Sequence, residues 1–125
     1  MVEANAPFEA DCEINILIGN YDYSKIREIP GCEKKFQDLP EVKKDMKTAL
    51  MHWHDPNPED EMTNFVLNNA SWNDISECMN NVKAKVMMNH VQGKRTLVKS
   101  FFAGHGIMRK NELFAVTCDS TKPTY

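Results

Sequence analysis

A surplus of basic residues is missing from this chain. Its 15 lysines and arginines are outnumbered by 18 aspartates and glutamates, which leaves a net charge of -3 over 125 residues. Proteins that bind nucleic acid or anionic membranes usually carry a basic excess or a clustered basic face, and neither stands out here. The longest apolar runs are also too short to span a bilayer. The sequence therefore predicts neither nucleic acid nor a membrane as a partner.

Cysteine pairs of the C-x-x-C type and a secretory signal are missing as well. The four cysteines are spread along the chain at Cys12, Cys32, Cys78 and Cys118. They could form two disulfides, but residues 1–12 lack the basic and apolar segments of a signal, which favours reduced thiols in the cytoplasm. His52 and His54 could chelate a metal on a strand, yet they close an apparent helix, where they face apart. We therefore expect helix-end histidines, no metal and no cofactor.

What the chain does contain is an alternation of strand and helix patterns. Its length fits one domain, and we expect residues 1–12 to form an N-terminal extension and residues 13–125 a single α/β domain. Short runs of strand-forming residues predict strands at 14–18, 63–67 and 96–102, and apolar spacing predicts helices at 40–53 and 71–90. A small hairpin follows, with arms at 107–108 and 113–116. The methionines follow the helix faces and are predicted to fill the core.

This order of elements predicts an α/β fold. Strands that alternate with helices of this size form a mostly parallel sheet in βαβαβ order, with right-handed crossovers and helices on both faces. Open α/β sheets place their reactive loops beyond the carboxyl ends of the strands. The loop at residues 21–38 follows the first strand and His105 follows the third, so we expect the two to meet at one edge of the sheet.

The most informative stretch is the glycine-bracketed histidine Gly104-His105-Gly106, which lies at the end of an apolar run. Glycine permits positive φ angles and close backbone approach, so the imidazole can be presented at an edge while the Gly106 amide points into the same space. That arrangement is typical of an acyl-transfer site. The alternative is a surface histidine in a turn between strand and hairpin, and the residue pattern alone leaves both interpretations open.

Three motifs in order give the chain a resemblance to the caspase and metacaspase-like cysteine peptidases. Residues 17–23 read Leu-Ile-Gly-Asn-Tyr-Asp-Tyr, residues 39–45 read Leu-Pro-Glu-Val-Lys-Lys-Asp, and residues 101–106 read Phe-Phe-Ala-Gly-His-Gly. They are similar to an Ile-Gly-Asn-x-x-Tyr strand end, a Leu-Pro-x-Val-x-x-Asp helix start and an aromatic-Ala-Gly-His-Gly block in that family. The resemblance runs from about Ile14 to Asp119. It implies a caspase-like fold that is incomplete at its C-terminus.

The resemblance also implies roles for particular residues. His105 would be the catalytic histidine, which pairs with a cysteine thiolate and protonates the leaving amine, and the Gly106 amide would be an oxyanion-hole donor. The caspase nucleophile follows its histidine by about 50 residues, which corresponds to roughly position 155 and lies beyond Tyr125. Cys118 lacks the small-residue context of an activated thiolate, and the other cysteines match no motif. We therefore expect no nucleophile in this chain.

Two functional hypotheses follow from these residues. In the first, the chain is a caspase-like endopeptidase domain that retains the catalytic histidine, lacks the nucleophilic cysteine, and cleaves a peptide substrate only if a cysteine is supplied elsewhere. In the second, it is a pseudo-peptidase that serves as a structural or interaction subunit. Either requires a protein partner over the exposed sheet edge near His105. A flavodoxin-like receiver is a weaker alternative, because the first and third strands end in Gly-Asn and Gly-His-Gly rather than in acidic residues.

Overall fold

The structure is a computed structural model that describes residues 10–28, 36–52 and 61–119. Five strands and three helices follow one another within these ranges. They are β1 (Cys12–Gly19), α1 (Ser24–Arg27), α2 (Val42–His52), β2 (Glu61–Asn68), α3 (Trp72–Val91), β3 (Thr96–Ala103), β4 (Gly106–Arg109) and β5 (Glu112–Ala115). The first strand begins at Cys12, which is the last residue of the predicted N-terminal extension.

The three long strands form a parallel sheet with β1 in the middle. The strand order is β2-β1-β3, and Ile16 of β1 lies opposite Phe65 of β2 and Ser100 of β3. A central parallel strand is covered on both faces, so it can be apolar throughout, as the Ile-Leu-Ile run of β1 is. The predicted α/β class, parallel sheet and hairpin are confirmed, since β4 and β5 form a separate antiparallel pair.

Alternate residues of β1 supply the two halves of the core. Ile14 and Ile16 pack with Cys78 and Val82 of α3, while Leu17 points to the other face and packs against α2. Side chains alternate across a strand, so one apolar run serves both helices. The end of β1 lies very close to α2, because a Cβ placed on Gly19 would approach the Met46 side chain to 2.6 Å.

Short-range hydrogen bonds and backbone angles mark the start of α3 and the turn of the hairpin. The Ser71 side chain accepts a hydrogen bond from the Asp74 N–H, and the Asp74 side chain accepts one from the Ser71 N–H, which together form a capping box at the start of α3. The hairpin turns through Lys110 and Asn111, which both have positive φ, between the paired residues Arg109 and Glu112. Two positive φ angles are the mark of a tight hairpin turn that matches the strand twist.

Three sequence-based expectations about these elements were incomplete. The short helix α1 lies inside the predicted loop at 21–38. The sequence did not indicate this helix, because four helical residues are too few to produce an apolar period. The helix predicted at 40–53 begins at Val42 rather than at Pro40, which lies in a turn, and its last predicted residue is outside the described ranges. The strand β2 extends beyond the predicted 63–67 at both ends.

The prediction that the methionines fill the core was wrong for most of those described. Met46 is buried, whereas the methionines at the surface are Met51, Met79, Met87, Met88 and Met108, with exposed fractions between 40% and 77%. Helix α3 covers the sheet with one narrow stripe of residues, so methionines elsewhere on its circumference face outwards. None of the described helices is long and apolar enough to cross a membrane.

Candidate functional site

Gly104 and His105 connect the last strand of the parallel sheet to the hairpin, and we call this connection the histidine corner. Strand β3 ends at Ala103, whose carbonyl accepts the Asn20 N–H at 2.8 Å, so the ends of β1 and β3 are tied together. His105 follows after one glycine, half-buried, and its carbonyl accepts the Val116 N–H at 2.9 Å from the end of the hairpin. The predicted placement of His105 at the carboxyl end of the third strand is confirmed.

A buried tyrosine hydroxyl bridges the two backbones at this corner. The His105 N–H donates to Tyr23 Oη at 2.9 Å, and Tyr23 Oη donates to the Val116 carbonyl at 3.2 Å. In a regular antiparallel pair the His105 N–H would bond directly to that carbonyl, so the hydroxyl is inserted into the ladder. Burial holds the pKa of Tyr23 above its ordinary value of 10.0, although the His105 N–H acts against this. The hydroxyl therefore keeps its proton and can donate.

Because Gly104 has no side chain, the Tyr23 hydroxyl can lie directly beside its backbone. A Cβ at this position would come within 2.7 Å of Tyr23 Oη and 2.9 Å of the Phe102 ring. Neither bracketing glycine uses the positive φ that glycine permits, since Gly93 is the glycine with positive φ among the described residues. Gly104 is required for close approach, and Gly106 leaves room for the Leu113 side chain across the hairpin.

The imidazole of His105 is held by a main-chain carbonyl. Its Nε2 lies 2.7 Å from the Gln37 carbonyl oxygen, which only accepts hydrogen bonds, so Nε2 carries the proton. In the neutral ring Nδ1 is then the nitrogen with the free lone pair. The ring of Tyr23 meets the imidazole edge-on with centroids 4.7 Å apart, and the Phe36 ring lies at 5.3 Å. Both the tautomer and the plane of the imidazole are therefore fixed.

An ion pair organises the segment that supplies this carbonyl. Arg27 at the end of α1 donates from Nη1 to the Asp38 carboxylate at 2.8 Å and to the Phe36 carbonyl at 3.0 Å. The same Asp38 oxygen accepts the Tyr23 N–H at 2.9 Å. The Arg27 guanidinium, followed by the Tyr23 N–H, holds the pKa of Asp38 below its ordinary value of 3.8. The expected meeting of the 21–38 loop with His105 is confirmed for the described part of that loop.

The Gly106 amide is not used by the hairpin. Hydrogen-bonded and non-hydrogen-bonded pairs alternate along antiparallel strands, and the Val116 N–H bond to His105 marks that pair as the bonded kind. The next pair, Gly106 with Ala115, is therefore of the non-bonded kind. The Gly106 N–H points away from β5 and can serve another acceptor.

No described cysteine has the surroundings of a nucleophile. Cys118 lies in the same apolar cluster as Tyr23, and its Sγ donates to Asn69 Oδ1 at 3.6 Å. Burial, and then the Asp22 charge, raise the pKa of the Cys118 thiol to about 11. Burial also raises the pKa of Cys78, and Cys12 is buried at the start of β1. Cys32 lies outside the described residues.

The histidines at the end of α2 offer no described metal site. His52 is exposed as the last residue of α2, and His54 lies outside the described residues. Within residues 10–28, 36–52 and 61–119, no three His, Cys, Asp or Glu side chains lie close enough together to hold a metal ion. The structure thus adds no reason to involve these histidines in the site around His105.

Sequence reasoning missed Tyr23, Gln37, Arg27 and Asp38. Tyr23 stood in the Ile-Gly-Asn-x-x-Tyr motif, and this was the one signal that could have singled it out. Gln37 acts through its carbonyl oxygen, which every residue possesses, so no side-chain pattern marks it. Arg27 and Asp38 are eleven residues apart in the sequence, and no sequence periodicity pairs them.

Gly104→Ala is expected to lower the free energy of unfolding by about 1–3 kcal/mol, because the added methyl group overlaps the Tyr23 hydroxyl and the Phe102 ring. Urea denaturation of the two proteins measures the difference. Gly106→Ala is the matched control and is expected to cost about 1 kcal/mol or less, since its nearest neighbour is the flexible Leu113 side chain. Equal costs at the two positions would contradict the close-approach role of Gly104.

Cys118 is expected to resist alkylation by iodoacetamide in the folded protein. With a pKa of about 11, only about one molecule in a thousand carries the thiolate near pH 8, and the side chain is buried besides. Mass spectrometry of peptides should show labelling at Cys118 only after unfolding, and labelling in the folded state should rise as the pH approaches 11. Rapid labelling of folded protein that His105→Ala abolishes would contradict this assignment.

The chain matches no known protein family, no curated protein and no solved structure. The observations that bear on His105 and Gly106 are therefore their local geometry and the motif resemblance. The α/β fold with its three-strand parallel sheet and two-strand antiparallel hairpin stands on the structure alone.

Proposed function

We propose that this chain is a caspase-like domain that provides the histidine side of a cysteine-peptidase site and lacks the nucleophile. His105 acts as the general base and acid, and the Gly106 N–H acts as an oxyanion donor. The thiol is supplied from outside this chain, by a protein partner. On this proposal the chain alone does not cleave peptides, and it works in the cytoplasm with no cofactor.

The observation that carries the proposal is the 2.7 Å hydrogen bond between His105 Nε2 and the Gln37 carbonyl. A base in nucleophilic catalysis needs a third group that orients it, and here the carbonyl fills that position. Because Nε2 is the donor, Nδ1 is left to take the proton of a thiol. Once His105 is protonated the same carbonyl faces a cation, and the hydrogen bond becomes charge-assisted and stronger.

The proposed reaction follows from these two groups. The thiol proton moves to His105 Nδ1, and the sulfur attacks the carbonyl carbon of the peptide bond. The Gly106 N–H stabilises the negative charge that develops on the carbonyl oxygen. The C–N bond then breaks while His105 returns the proton to the leaving amine, and water hydrolyses the thioester to release the acid and restore the thiol.

The outer edge of β3 is the proposed site for the missing part. Among the described residues β3 pairs only with β1, so its other side presents backbone N–H and C=O groups along a strand that ends beside His105. Val98 and Phe102 of this strand are also 41% and 37% exposed. An exposed strand edge with apolar side chains is a template for another strand. A segment that paired there could bring a thiol to the histidine.

A caspase-like fold is part of the proposal. It is supported by the three motifs, by the central position of β1 in the parallel sheet, and by a histidine that follows β3 and precedes a short hairpin. Two of the motifs also meet in space, because Tyr23 of the first bonds to His105 of the third.

A pseudo-peptidase that binds partners is the second candidate function. It is favoured by the state of the described cysteines, because Cys78 and Cys118 are buried free thiols with raised pKa values. On this alternative, the Gln37 carbonyl and the rings around His105 only stabilise the corner. The two candidates differ in one respect that can be measured, which is whether His105 accepts a proton from a thiol placed beside it.

An added thiol tests the proposal. The wild-type chain, supplied with 2-mercaptoethanol and p-nitrophenyl acetate, should release nitrophenolate about tenfold faster than His105→Gln does. This lies below the roughly 10²–10⁴-fold effect of a built-in general base, because the added thiol is not tethered. His105 takes the thiol proton, the sulfur takes the acetyl group, and nitrophenolate leaves. Absorbance at the nitrophenolate band gives the rate.

His90→Gln is the matched control for this assay, because His90 is an exposed histidine at the end of α3. Its rate should equal that of the wild-type chain. Equal rates for wild type and His105→Gln would contradict the proposed base and favour the pseudo-peptidase. Cleavage of peptides by the chain without any added thiol would contradict the missing nucleophile.

A further inference from the structure

We propose that Arg27 and Asp38 are positioning residues, which hold the Gln37 carbonyl against His105 Nε2 through a clasp formed by their side chains. The inference rests on the proposed function of His105 and assigns a role that the sequence motifs do not. We call the pair, together with its bonds to the neighbouring backbone, the Arg27–Asp38 clasp. It touches neither the thiol nor the peptide, and it acts only through Gln37.

The geometry of the clasp brackets the functional carbonyl. Arg27 Nη1 bonds to the carbonyl of Phe36, which precedes Gln37, and to the carboxylate of Asp38, which follows it. One guanidinium nitrogen therefore fixes the chain on both sides of the residue whose carbonyl faces the imidazole. A planar guanidinium can hold two acceptors in a set geometry, whereas a lysine ammonium would be a point charge on a flexible stem.

The clasp also connects to the other support of His105. The Asp38 oxygen that accepts from Arg27 accepts the Tyr23 N–H as well, and the Tyr23 hydroxyl receives the His105 N–H. Tyr23 is thus connected to His105 in two ways. Its hydroxyl bonds to the His105 backbone, and its N–H bonds to Asp38, which is next to the Gln37 residue that holds the imidazole. A shift of the clasp would change the position of the carbonyl relative to the ring.

The Arg27–Asp38 clasp is partly exposed, so we expect it to position residues 36–38 rather than to add much to the free energy of unfolding. The Asp38 side chain is 49% exposed and that of Arg27 is 24% exposed. Exposed ion pairs contribute little to the stability of a fold, because water screens them. This pair nevertheless holds a segment in which Phe36 has a φ of 56°, an unfavourable value for phenylalanine, with its ring 5.3 Å from the imidazole.

Removal of the clasp should make the His105 Nε2 proton exchange faster with water. Without Arg27 the Phe36 carbonyl and the Asp38 carboxylate lose their common donor, and the Gln37 carbonyl is no longer fixed at 2.7 Å from Nε2. The exchange rate of the Nε2 proton with solvent reports this loss directly. It is independent of peptidase activity and of any thiol, and a change in global stability alone would not single out this proton.

The test is NMR of the full ¹⁵N-labelled chain. The His105 Nε2–H resonance is assigned by its absence in His105→Gln, and its exchange with water is measured in each variant. Arg27→Ala and Asp38→Ala should each speed exchange about tenfold, and the double variant should be no faster than either, because both remove one clasp. Arg27→Lys, which keeps the charge, should give an intermediate rate and serves if Arg27→Ala does not fold.

Lys99→Ala is the control, because it removes an ion pair with Glu13 on the sheet and should leave the exchange rate unchanged. A protected Nε2 proton in the wild type that stays protected in the folded Arg27 variants would overturn the clasp and leave the proposed function intact. A proton that exchanges freely in the wild type would remove the hydrogen bond on which both proposals depend. Additive effects of the two single variants would also contradict a single clasp.

Discussion

The corner around His105 depends on one buried hydroxyl group. Tyr23 Oη lies between the His105 N–H and the Val116 carbonyl, and the side chain has no solvent exposure. Asn20 supports the same carbonyl from 3.4 Å and accepts the Ala70 N–H with its other side-chain atom. A buried polar group that loses its partner is costly, so each member of this network constrains the others. The end of β3, the start of the hairpin and the loop after β1 are joined by it.

The orientation of the His105 imidazole follows from this constraint. The hydroxyl fixes the backbone of the histidine, the ring of the same tyrosine packs edge-on against the imidazole, and the Gln37 carbonyl holds Nε2. What remains is an imidazole with one nitrogen oriented and the other available, next to the Gly106 N–H that the hairpin does not use. The proposed role of His105 as a base depends on this arrangement. The thiol of Cys118, in the same region, is held protonated by burial and does not meet that need.

The sequence predicted the framework of this site better than its contacts. Runs of strand-forming residues identified the three strands of the sheet, and apolar spacing identified the long helices, because each of these elements buries one face or both. The third of these runs also placed His105 at a strand end. The contacts depend on features that periodicity does not carry: Gln37 acts through a carbonyl common to all residues, Tyr23 lies in an irregular segment, and Gly104 is needed for space rather than for its φ angle. The methionines of α3 mislead because their helical spacing extends beyond the narrow buried stripe.

Hydrogen exchange at the backbone amide of His105 in Tyr23→Phe is the decisive measurement for the role of the buried hydroxyl. The phenyl ring keeps the packing of the corner and removes only the oxygen, so the His105 N–H loses its acceptor and the Val116 carbonyl loses a donor. We expect exchange at this amide to accelerate and the free energy of unfolding to fall by about 1–3 kcal/mol. Tyr21→Phe, in the same segment, should change neither. An unchanged exchange rate at His105 in a folded, equally stable Tyr23→Phe protein would contradict the dependence of the corner on this hydroxyl.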